Sequence, residues 1–137
     1  MAVYNKFDQF TEDKAKGVHT LGTDQLVVFL TNVLPVRTNS VLLDITEIDY
    51  ANLSSRNITT TSATQTNGTF KLVLEDLVLT ASGVVPTFRY VGVYNDTPTS
   101  PADPLIAWYD YGSAVDMSNG ETFTCDFDQA NGFHTET

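Results

Sequence analysis

"TFRYVGVYNDT" at residues 87–97 is followed, after a short loop, by "DPLIAWYDYG" at residues 103–112. Alternation along the first stretch puts Phe88, Tyr90, Gly92 and Tyr94 on one face and Arg89, Val91 and Val93 on the other. The second stretch places Leu105, Ala107, Tyr109 and Tyr111 together, opposite Ile106, Trp108 and Asp110. Between them lie Asn95-Asp96 and the prolines 98, 101 and 104, which restrict a loop. Both segments therefore predict strands, and Gly92 leaves room for a large cross-strand partner or a bulge. Tyr90, Tyr94, Trp108, Tyr109 and Tyr111 suit a core with polar groups at its rim. Some of them also suit an interface hot spot, for which Tyr94, Trp108 and Tyr109 are the candidates.

The same period extends outward. "DQLVVFLTNV" at 24–33 is an apolar run of strand length, expected to be well covered. "SVLLDITEID" at 40–49 predicts a strand with Val41, Leu43 and Ile45 on one side. Thr-rich alternation between residues 50 and 69 suits a solvent-facing strand, and Asn67-Gly68 signals a turn. In "FKLVLEDLVLTAS", residues 70–82, Phe70, Leu72 and Leu74 share a face, and Glu75-Asp76 breaks the phase, as a β-bulge would. Asn119-Gly120 marks another turn, and "ETFTCDF" at 121–127 aligns Phe123, Cys125 and Phe127.

Only the N-terminus departs from this pattern. Val3, Phe7, Phe10 and Lys14 recur at helical spacing, with Asp8, Glu12 and Asp13 opposite, Lys14 and Lys16 in the last turn and Gly17 as a C-cap. This predicts an amphipathic helix over residues 3–16. The expected architecture is one all-β domain over 1–137, a β-sandwich or jelly roll of about six to eight strands with that helix added. A closed barrel is the nearest alternative.

Composition narrows the function. The 137 residues carry seven Lys and Arg, 17 Asp and Glu and a net charge of -10. No Lys or Arg follows Arg89, whereas Asp96, Asp103, Asp110, Asp116, Glu121, Asp126, Asp128 and Glu136 do. Such a chain does not neutralise phosphates, so neither direct nucleic-acid binding nor attachment to an anionic membrane is expected. No apolar run reaches membrane-spanning length, and "MAVYNKFDQF" lacks the pattern of a signal peptide, so synthesis in a cytoplasm is expected. Cys125 is the only cysteine and reads as a buried thiol.

No metal-binding, phosphate-binding or nucleophile motif is present, and no enzyme activity, cofactor or metal is expected. His19 reads as a turn residue and His134 as solvated. Asp110, Glu75 and Asp76 are the acids to weigh for glycoside hydrolysis. Asp44, Glu47 and Asp49, and Asp116, Asn119 and Glu121, are those to weigh for calcium. Solvent-facing positions that alternate with core positions are the plainer expectation for the first set, and hydrated turns for the second.

"YNKFDQFTEDKAKGVHTLGTD" at residues 4–24, "GTFKLVLEDLVLTASG" at 68–83 and "FRYVGVYNDT…DPLIAWYDYG" at 88–112 resemble small virion-associated proteins of tailed bacteriophages. The resemblance implies a head decoration, or cement, protein on the outer surface of the capsid, made in the bacterial host cytoplasm. Its partner would be the major capsid protein, with self-association, as a trimer at local three-fold positions, also implied. Phe7 and Phe10 are the candidate docking residues if their face is exposed; the competing expectation buries both. The alternative role is a tail or adsorption module whose loops at 50–69 and 95–104 meet host carbohydrate.

Overall fold

The computed structural model describes residues 2–137. The elements run β1 (Asn5–Lys6), α1 (Asp8–Ala15), β2 (Leu26–Thr31), a 3-10 turn (Leu42–Asp44), β3 (Thr60–Thr66), β4 (Thr69–Leu74), β5 (Leu77–Thr80), β6 (Val85–Asn95), β7 (Leu105–Met117), β8 (Thr122–Cys125) and β9 (His134–Glu136). Their pairings are antiparallel and build three separate sheets: β1-β7-β6-β2, β3-β4-β9 and β5-β8. None closes into a barrel, and the three do not make one clear two-layer sandwich.

The four-stranded sheet is covered on both faces. Leu26, Val28 and Leu30 enter the main core, which also takes Leu72 and Leu74 from β4, Leu79 from β5 and Cys125 from β8. Val27 and Phe29 point the other way, into a smaller core with Phe7, Tyr94 and Leu105. That is why every residue of β2 is buried and why its sequence reads as a continuous apolar run.

Bulges redistribute the expected faces of β6 and β7. Val93 pairs with Ala107 but Tyr94 pairs with Leu105. Ile106 is thus the extra residue, and Ile106 and Ala107 both enter the main core while Leu105 joins the small one. A second shift, between Phe88 and Tyr90, brings Phe88 into the core that holds Val91 and Val93. Strict alternation fails where an inserted residue reverses the facing of its successors along the strand.

Three further segments differ from expectation. The helix spans Asp8–Ala15 rather than 3–16, because Asn5 and Lys6 pair with Trp108 and Ala107 of β7. Asp13 is buried rather than on the solvent face. The 40–49 stretch is no strand: the Asp44 carboxylate accepts from the Ser40 and Val41 amides at 2.9 and 3.2 Å and winds the chain into the 3-10 turn. Finally, Glu75-Asp76 is a crossing between sheets, not a bulge, and Asp76 Oδ1 accepts from the Phe127 amide at 3.1 Å. Asn67 and Gly68, with φ of 52° and 84°, make the expected turn between β3 and β4.

Candidate interaction surface

The small core needs a lid, and the loop after β2 supplies it. Leu42 and Ile45 pack down onto Phe7, Phe29 and Tyr94. With Leu42 turned inward, the tight turn drives Leu43 outward, where it is 97 % exposed. Val33, Leu34 and Val36 on the same loop are also exposed. The loop is held rigidly. Thr31 Oγ1 donates to the Thr46 carbonyl at 2.5 Å and accepts from the Val33 amide at 3.0 Å. Asn39 Oδ1 accepts from the Val36 amide at 2.8 Å. The Asp8 amide donates to the Arg37 carbonyl at 2.9 Å, and Arg37 Nε donates to Asp8 Oδ2 at 3.1 Å. An ordered loop that exposes four large aliphatic residues has little entropy left to lose on docking; full burial would gain about 1.5–3 kcal/mol at Leu43 and about half that at each of the other three, which are already partly covered.

Two depressions lie elsewhere on the surface. One, of about 410 Å³, is lined by α1 residues Gln9, Glu12, Asp13 and Lys16, by Val41, and by the Ser100–Pro101 loop. The other, of about 180 Å³, opens between β7 and β8, with Tyr109, Tyr111 and Phe123 as walls, Cys125 and Phe127 deeper, and Asp126 as its charged residue. Tyr111 meets Phe123 edge-on at 5.1 Å.

The candidate residues from the sequence are dispersed by the fold. Phe7 and Phe10 are completely buried, in the small and main cores respectively, so neither presents a docking face on this chain. The reason is local: the chain turns between β1 and α1, and the two rings enter opposite sides of the four-stranded sheet. Tyr94 is buried in the small core, and Trp108 packs half-buried against it. Only Tyr109 borders a depression. Pro35 and the following Arg37, Thr38 and Asn39 mark this loop in the sequence, but the outward aliphatic side chains are hidden there because Leu43 fits a strand pattern.

His19 and His134 are both buried, against the expectation of solvent for the latter. Their rings lie edge-on to Phe10, with centroids 5.0 and 5.3 Å away. His134 Nδ1 is 2.9 Å from the Tyr4 hydroxyl, and His19 Nδ1 is 3.0 Å from the Asn95 amide. Burial, with Lys14 and Lys6 adding to it, pushes His134 down to about 4. Burial also lowers His19, although Asp13 and Asp24 oppose the shift. Cys125 is buried, and desolvation pushes its thiol up to about 12, which leaves it protonated and a poor nucleophile.

Most of the acids weighed for chemistry are engaged by other groups of this chain. Asp110 accepts from Arg89 at 2.9 and 3.2 Å and from the Gly112 amide at 2.8 Å, and the Arg89 hydrogen bond holds it below the usual carboxylate range. Glu47 accepts from Tyr50, Asp49 from the Ala51 amide, Asp116 from Thr87 and Glu121 from the Ser118 amide. Among the described residues no three His, Cys, Asp or Glu side chains gather as a metal site.

No family model matches the chain, and no curated protein or solved structure matches it either.

Proposed function

We propose that the chain is a structural virion protein that decorates and stabilises a phage capsid by binding between major-capsid subunits. The observation that carries this reading is the braced loop with exposed Val33, Leu34, Val36 and Leu43, apolar side chains held on one ordered segment where another protein can cover them. The resemblance of the three segments to phage virion proteins supplies the setting. Many weak copies bound to the assembled shell, and not to free subunits, would stabilise it by linkage. Self-association as a trimer at local three-fold positions accords with shell symmetry.

Immunogold labelling of intact source virions tests the reading. Regular label over the head is the expected outcome. Label confined to neck or tail would overturn it.

The second reading is a tail or adsorption module that binds host carbohydrate. The aromatic cleft favours it, because Tyr109, Tyr111 and Phe123 offer ring surfaces beside the Asp126 carboxylate, the combination used to stack and hydrogen-bond a sugar. Binding to a glycan array that is lost in Tyr111→Ala would support this reading over decoration.

A further inference from the structure

β3 is the outer strand of the β3-β4-β9 sheet. The turn at Asn67-Gly68 joins it to β4, and Thr66 pairs with Thr69 directly across that turn. In a two-residue hairpin this closing pair exchanges both of its hydrogen bonds, and such pairs alternate along the ladder. Thr66 and Thr64 therefore bond to β4, whereas the amides and carbonyls of Gln65 and Ala63 point away from it. Among the described residues no backbone group outside the hairpin reaches them. Thr64, Gln65 and Thr66 are exposed, so this edge opens to solvent.

Sheet edges are ordinarily guarded by charge, proline or bulges, because a row of unpaired groups is a template for another strand. β3 carries neither charge nor proline. From Asn57 to Phe70, between Arg56 and Lys71, every residue is uncharged, and this is the longest such stretch in the chain. The one irregularity of β3 lies between Thr60 and Ser62, at the end far from the turn. The other rims differ. Asp110 and Asp116 lie on β7, Glu136 lies on β9, and Glu121 and Asp126 flank β8. β2 is already bridged by Asn57 and Glu47.

The charge pattern selects what covers the edge. A chain with a net charge of -10 repels its own copies over most of its surface, and β3 is the edge where that repulsion is absent. We infer that β3 pairs antiparallel with β3 of a second copy, about a two-fold axis. A two-fold register that joins the outward groups of Ala63 and Gln65 sets Ser62, Thr64 and Thr66 against the same row of the other copy. Threonine opposite threonine or serine is a favourable cross-strand pairing, and no like charges meet. The contact turns two three-stranded sheets into one continuous sheet.

The test is hydrogen exchange at the Ala63 and Gln65 amides of the isolated full chain, followed by NMR at low and high protein concentration. Exchange roughly tenfold slower at the high concentration is expected, together with a rise in sedimenting mass. Thr64→Glu should abolish both effects. Its carboxylate faces Lys71 within the same hairpin, which suits the single chain, but a two-fold contact brings like charges together. Should that variant fail to fold, Gln65→Pro serves instead. It deletes an outward N–H and leaves the bonds to β4 in place, with the Ala63 amide as reporter. Exchange that is fast at every concentration, or slowed equally in the variant, overturns the inference. So does slowing that appears only when purified heads are added, which would assign the edge to a strand of another protein. The measurement needs no particle, and a two-fold contact is separate from any three-fold one, so its failure and that of the capsid reading are distinct results.

Discussion

The ring of Phe29 on β2 fills the space where Gly92 on β6, its cross-strand partner, has no side chain. A Cβ built on Gly92 would lie 1.9 Å from Phe29 Cζ. Gly92→Ala should therefore destabilise the fold by about 1–3 kcal/mol or more. Phe29→Leu in the same chain should recover part of that loss. Denaturant midpoints of the two single variants and the double variant check it; equal midpoints for wild type and Gly92→Ala would show that the ring has room to move.

Phe7 and Phe10 occupy different cores, so their truncations should add. Each change to Ala is expected to cost about 3–5 kcal/mol. Together they would consume most of the ~5–15 kcal/mol that holds a typical domain folded. Near-ultraviolet circular dichroism of the double variant should show no fixed aromatic environment. A folded double variant that fails only to occupy heads would restore the docking role for these rings.

Leu43 behaves in the opposite way. At 97 % exposure it contributes little to the isolated protein, and Leu43→Asp should change stability by less than ~0.5 kcal/mol. On the proposed function it should sharply reduce the number of copies retained on purified heads. Unchanged occupancy, measured by gel densitometry of the particles, would remove the loop from the interface.

Stability should fall on mild acidification. An unfolded histidine takes up its proton near pH 6.5, whereas His134 in the fold resists until about pH 4, chiefly because burial disfavours the charged ring. Between those values the unfolded chain binds more protons, so the stabilisation is complete above about pH 6.5 and drains away toward pH 4. The loss due to His134 is on the order of 3 kcal/mol, and His19 shifts in the same direction. Chemical denaturation across this range should show the slope, and His134→Gln should flatten it.

Cys125 should not react with a thiol reagent at neutral pH until the chain unfolds, because its thiol is both buried and held protonated. Rapid labelling of the native protein would mean that the aromatic cleft opens to the depth of β8.

Period two made most strands legible. The turn at Asn67-Gly68 and the steric need at Gly92 were also visible, because each depends on nearby residues or on one missing Cβ. The features that escaped are set over distance. The bulge at Ile106 is decided by how β7 registers on β6, and the departure of β5 by Asp76 binding the distant Phe127 amide. The helix was overextended because Val3 and Phe7 fit a helical stripe even though Asn5 and Lys6 pair with β7. The candidate surface was the least legible part. An outward Leu43 results from an inward Leu42, and a buried Asp13 from packing that no local pattern encodes.

The N-terminal edge is completed by β9. Tyr4 meets His134, Phe10 packs on the same ring, and Lys14 pairs with Glu136. During synthesis α1 leaves the ribosome more than a hundred residues ahead of these partners. Phe10 therefore waits, without its full site, while the intervening strands are made. The nascent chain displays this edge to chaperones until residues 134–136 emerge.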